Sequence, residues 1–109
     1  MAFKALFLAH APDADKVKHR SAIDTGMYQL FTVVVRDQAE AVAVCRDFVE
    51  KKSIDSVLLC PGFTHSDVAE IAETVGGNVA VCVARGDGPS NKVSLAAMKR
   101  AGYPGRRDE

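Results

Sequence analysis

The sequence predicts a small α/β domain: a mostly parallel, four-stranded sheet flanked by helices, in the order β(α)βαβαβα. Three observations predict it. Four apolar runs are continuous rather than alternating, as in strands covered on both faces. An amphipathic segment with helical spacing follows each of the last three runs. Capping and stop residues bound those segments. Such alternation closes through right-handed crossovers into a parallel sheet. An incomplete barrel and a ferredoxin-like antiparallel arrangement are the alternatives. With 109 residues, 48% of them apolar, the chain has one domain's worth of core, expected over 1–102, with 103–109 as a frayed tail.

The strands are expected over Phe3–Ala9, Leu30–Arg36, Ile54–Cys60 and Asn78–Ala84. Between the first two lies Pro12–Met27, where Asp13 is placed to cap a short helix carrying Lys16 to Arg20 and Thr25-Gly26 marks a turn. The first full helix runs from Asp37 to about Lys52. Asp37 and Glu40 have capping-box spacing, and Ala41, Val42, Cys45, Phe48 and Val49 recur on one face. The second runs from the Thr64 cap to about Val75 and stops at Gly76-Gly77, with Val68, Ile71, Ala72 and Val75 as its apolar stripe. The third is expected from about Ser90 to Ala101, with Val93, Ala96, Ala97 and Ala101 facing inward and Gly102 and Pro104 ending it.

Composition narrows the function classes. Lys plus Arg and Asp plus Glu number 14 each, a balance that argues against nucleic acid as a partner. The dense basic spots, Lys16-Lys18-His19-Arg20 and Arg106-Arg107, carry no interleaved aromatics, and the chain has no Trp. No apolar run approaches the roughly 20 residues that span a bilayer, so no membrane role is expected. The opening run is short, is interrupted by Lys4 and leads into His10-Ala11-Pro12-Asp13, which reads as a buried strand rather than an export signal. The three cysteines, Cys45, Cys60 and Cys82, form no CxxC pair, and each lies in an apolar run. That pattern fits free thiols in a reducing cytoplasm. A domain this small leaves much surface unburied, so a homo-oligomer, with a dimer as the first guess, is expected.

Chemistry in an open parallel sheet belongs beyond the carboxyl ends of the strands, where helix N-termini also point their free N–H groups. His10, Arg36-Asp37, Cys60-Pro61-Gly62-Phe63 and Arg85-Gly86-Asp87-Gly88 stand there. Cys60 precedes a helix start, which lowers a thiol pKa, so it is a candidate nucleophile or redox group; the plainer reading is a buried strand cysteine. Gly62 lets a ligand approach the backbone closely, although turns use glycine in any case. Arg85 before a Gly-rich turn could hold an anion, but Gly86-Asp87-Gly88 lacks the third glycine of a dinucleotide fingerprint and follows the last strand rather than the first. His10, His19 and His65 share no metal-ligand spacing, so no metal or other cofactor is expected. A phospho-receiver's acidic cluster, a Walker loop and a G-x-S-x-G elbow are all missing from the sequence.

Phe3–Ala9, Lys18-His19-Arg20-Ser21, Leu59-Cys60-Pro61-Gly62-Phe63, Val75-Gly76-Gly77 and Val79–Arg85 together resemble a family of small prokaryotic proteins known only as a domain of unknown function. The likeness covers roughly residues 3 to 87. In that family the third strand commonly ends Cys-Gly-Gly-Phe; here Pro61 replaces the first glycine and stiffens the turn. The resemblance implies the α/β fold and a soluble prokaryotic protein, and no reaction. It also marks His19, Arg20, Cys60, Gly62, Phe63 and Arg85. The expectation is a small anionic ligand at the carboxyl edge, bound by His10, Arg20, Gly62, Phe63 and Arg85. Cys60 or His19 would serve as acid, base or nucleophile if there is a reaction. A non-catalytic oligomeric or regulatory module is the alternative.

Overall fold

The computed structural model describes residues 1–104. Five strands and three helices follow one another: β1 (Phe3–His10), β2 (Arg20–Asp24), β3 (Tyr28–Val35), α1 (Gln38–Lys52), β4 (Ser56–Leu59), α2 (His65–Val75), β5 (Ala80–Val83) and α3 (Gly88–Arg100). They build one sheet in the order β2-β3-β1-β4-β5. All pairs are parallel except β2 with β3. The α/β class and the mostly parallel sheet are as expected, and the barrel and ferredoxin-like alternatives fall. The strand count is five rather than four, because the region expected to form a short helix forms β2.

The misreading of β2 has a local cause. The short helix expected behind an Asp13 cap does not form over Lys16–Arg20, where a single turn is closed by the His19 N–H donating to the Asp15 carbonyl at 2.7 Å. Arg20–Asp24 then pairs antiparallel with β3, and Thr25–Met27 makes the connecting turn. All five β2 residues are exposed, so no apolar periodicity could have announced it.

The helix caps follow the sequence closely. The Asp37 side chain accepts from the Glu40 N–H at 2.9 Å. Glu40 reaches back one residue further than a capping box requires, to the Arg36 N–H at 2.8 Å. A full box forms at α2 instead, where Thr64 and Asp67 each accept the other's backbone N–H, at 3.2 and 3.0 Å. Gly76 closes α2 at φ +84, a conformation that costs any residue with a Cβ.

Side chains of parallel strands alternate between the two faces of the sheet. Leu6, Leu8, Val33, Val35, Val57 and Leu59 point to one face and are fully buried there against Ala41, Val44, Cys45 and Phe48 of α1 and Ile71 and Val75 of α2. Both right-handed crossovers advance in the same direction across the sheet, which places α1 and α2 on the same side. Val44 belongs to this core although the stripe read from sequence omitted it, and Ala72 is exposed although the stripe included it. The inward face expected for α3 is overturned: none of its residues is buried, and Val93 is 69% exposed. A helix with two alanines and three serines or asparagines between its few large apolar residues binds a sheet weakly. Of the expected tail over 103–109, residues 105–109, with Arg106 and Arg107, lie outside the described residues.

Candidate functional site

β1 and β4 are adjacent and parallel, with Leu8 opposite Leu59. The chain leaves β1 toward β3 and leaves β4 toward β5, in opposite directions across the sheet. The gap beyond their carboxyl ends is therefore the topological switch point of the sheet, where open α/β folds bind ligands.

The residues at that gap come from both strands. His10 ends β1, and the Cys60 N–H continues the ladder by donating to the Leu8 carbonyl at 3.0 Å. Cys60–Phe63 then turns into α2, with the Phe63 N–H directed at the Cys60 carbonyl at 3.4 Å. Phe63 is buried beneath this turn, and its ring stacks on the His10 imidazole with centroids 4.0 Å apart. Gly62 lies against both: a Cβ there would be 3.3 Å from His10 Nδ1 and 3.6 Å from Cys60 Sγ. One point at the mouth of the turn is thus within van der Waals reach of an imidazole nitrogen and a thiol. Cys60 is half-buried, so it is not the sealed core cysteine of the plainer reading.

Arg85 joins this group from the next strand. The Ala84 N–H donates to the Leu59 carbonyl at 2.8 Å, which brings the following residue to the same edge as the Cys60–Phe63 turn. Its side chain is exposed.

His19 and Arg20 do not join it. The His19 carbonyl accepts from the Val34 N–H at 2.9 Å, and Arg20 sits opposite Val33, so both lie beyond β3. Two strands intervene before β4, a separation of about 14 Å at normal strand spacing. His19 Nδ1 accepts the Asp15 N–H at 2.8 Å, a structural use of that nitrogen. The Arg20 Nε–H donates to the Lys16 carbonyl at 2.8 Å, and its guanidinium lies over the Phe48 ring at 5.6 Å. The expected set thus divides: His10, Cys60, Gly62, Phe63 and Arg85 share one edge, while His19 and Arg20 hold the β2 end of the molecule.

Sequence reading missed two groups near the site. Asp67 is a buried carboxylate in the first turn of α2; the Thr64-x-x-Asp67 spacing is the signal that pointed to it. Gln38 ties the starts of α1 and α2 together, its amide donating to the Asp67 carbonyl at 3.2 Å and to Glu70 Oε1 at 2.9 Å. Gln38 Oε1 is buried with no hydrogen-bond partner. Arg36 fixes the loop after β1 by donating to the Ala14 carbonyl from Nε and Nη2, at 3.2 and 3.0 Å. In the same loop the Val17 and Lys18 N–H groups hold the Asp15 carboxyl below its usual range.

The three cysteines occupy three environments. Cys45 is a core residue of α1, and burial pushes its thiol up to about 12. Cys60 faces the switch-point gap, and Cys82 is exposed on β5. Among the described residues no cluster of three or more His, Cys, Asp or Glu side chains is arranged to hold a metal ion. No helix among them is long and apolar enough to cross a membrane.

No curated protein and no solved structure matches this chain. A family model does match it, over residues 3–99, and the chain belongs to that family, the family of unknown function DUF6506.

Proposed function

We propose that the gap beyond β1 and β4 binds a small anionic metabolite. The observation that carries this reading is the meeting of His10, Cys60, Gly62 and Phe63 at the topological switch point. The His10–Phe63 stack supplies an apolar and aromatic wall. Gly62 leaves open the volume a side chain would take between the imidazole and the thiol. Arg85 supplies positive charge from the adjacent strand, and the first N–H groups of α2 add the positive end of a helix. Asp67 uses part of that helix end for its own cap, so Arg85 provides the larger share of the anion's attraction. If the site carries a reaction, Cys60 and His10 are its thiol and its base, and His19 is not.

A thermal-shift series with inorganic phosphate and small mono- and dicarboxylates tests this. A ligand that binds only the folded chain raises its stability by about 2.7 kcal/mol at a hundredfold excess over Kd, on the order of ten degrees for a domain this size. The expected result is a rise with one anion class that Arg85→Ala and Gly62→Val both abolish. Insensitivity of the wild type to every anion, or an equal rise in both variants, overturns the reading and leaves the non-catalytic module.

A further inference from the structure

The second face of the sheet has no helix on it. Phe3, Ala5, Phe7 and Ala9 of β1, Tyr28, Leu30, Thr32 and Val34 of β3, Ser21 and Ile23 of β2, Ser56 and Leu58 of β4, and Ala80 and Cys82 of β5 point there. None of these residues is charged. Several large ones are open to solvent: Ile23 is 60% exposed, Phe3 48% and Leu58 38%. Parallel sheets are as a rule covered on both faces, and natural sheets that meet water on one face alternate polar residues there. The uncharged character of this face marks it as one that is covered.

α3 is the one helix left to cover it, and one helix is too narrow. The sheet is five strands wide, about 24 Å at normal strand spacing, whereas a helix is about 10 Å across. The opposite face takes two helices, α1 and α2. The open face projects to about 450 Å², within the range of the largest apolar patches on monomers and roughly half of what each partner of a stable complex buries. α3 adds a strip about 20 Å long, with Val93, Leu95 and Met98 exposed along it. A face without charge offers no ionic code for a foreign partner, but it is complementary to itself under a two-fold axis.

We propose that a second copy of this chain docks on the open sheet face, so that the two uncharged faces meet across a two-fold axis and each α3 packs along the partner's sheet. Phe7, Leu58 and Cys82 lie within the contact, and Ile23 at its border. The inference stands on the sheet and α3 alone and is independent of the switch-point gap, which lies at the carboxyl edge.

Sedimentation of the purified chain tests it, together with the rate at which Cys82 reacts with a thiol reagent. The expected mass is twice the 11.7 kDa of one chain, with Cys82 protected in the native state. Leu58→Lys buries two unpaired charges at the seam and should raise the dimer dissociation constant at least about a hundredfold, leaving a monomer with reactive Cys82. Ile23→Lys, on the wholly exposed edge strand, should weaken the dimer without touching the core and gives a folded control if Leu58→Lys does not fold. A wild-type monomer with reactive Cys82 overturns the proposal. So does a wild-type monomer with protected Cys82, because α3 of the same chain would then cover the face. A dimer unaffected by either lysine overturns it as well.

Discussion

The two faces of this sheet are made from alternate residues of the same strands, and they have opposite fates. On one, Leu6, Leu8, Val33, Val57 and Leu59 are fully buried under α1 and α2. On the other, the interleaved Leu58 and Cys82 remain exposed. Both sets are apolar and neither carries a charge. The difference is in the helices. α1 carries Ala41, Val44, Cys45 and Phe48 in a stripe, α2 carries Ile71 and Val75, and α3 carries no buried residue at all. An apolar strand face becomes core only where a partner element with a stripe of its own is delivered to it.

The largest test of that contrast is a pair of identical truncations one residue apart. Leu59→Ala, at a fully buried position, should cost about 2–5 kcal/mol in chemical denaturation, with the cavity setting the exact value. Leu58→Ala should cost the isolated monomer less than about 1 kcal/mol. Equal losses would mean that the second face is a packed core, which breaks the distinction. The helix caps sharpen it at a smaller scale. Thr64→Ala removes the cap of α2, which packs against the sheet, and should cost about 1 kcal/mol. Asp87→Ala at the start of α3 removes no side-chain cap bond and should leave the unfolding midpoint unchanged within about 0.5 kcal/mol.

pH gives a further handle on the covered face. The Cys45 thiol has its pKa raised by burial, from 9.0 to about 12, so the folded state holds its proton where the unfolded chain releases it. Its contribution to stability is complete below pH 9.0 and falls as pH rises from there toward about 12. Cys45→Ala should remove that part of the alkaline decline in unfolding free energy; an identical decline in the variant would contradict the assignment. The smallest effect belongs to Ser53, which closes α1 at φ +53 in the left-handed region. Ser53→Gly should stabilise the chain by a few tenths to about 1 kcal/mol, measured by the same denaturation.

The candidate site shows where sequence reasoning reaches its end. His10, Cys60, Gly62, Phe63 and Arg85 were all legible, because each follows a strand that the apolar runs announce and parallel strands deliver their carboxyl ends to one edge. The grouping was not legible. Cys60 had no base near it in sequence, and His10, fifty residues earlier, becomes its neighbour only because β1 and β4 pair. His19 and Arg20 stand in a motif that looks equally promising, but Arg20 opens β2 and His19 immediately precedes it, on the far side of β3 with two strands between them and β4. Nothing in a local pattern carries strand order.

The sequence by itself determined the elements whose signals are local. The continuous apolar runs set β1, β3, β4 and β5; Asp37 and Thr64 set the helix starts; Gly76 set the end of α2. These depend on caps, turns and periodicity within a few residues, which act before any long-range contact forms. Only the tertiary structure decided that Arg20–Asp24 is a strand, that α1 and α2 share one face, that α3 stands free of the core and that His10 meets Cys60 and Phe63. Each of those depends on which strand lies beside which, and that order is settled by pairing and packing between segments far apart in the chain.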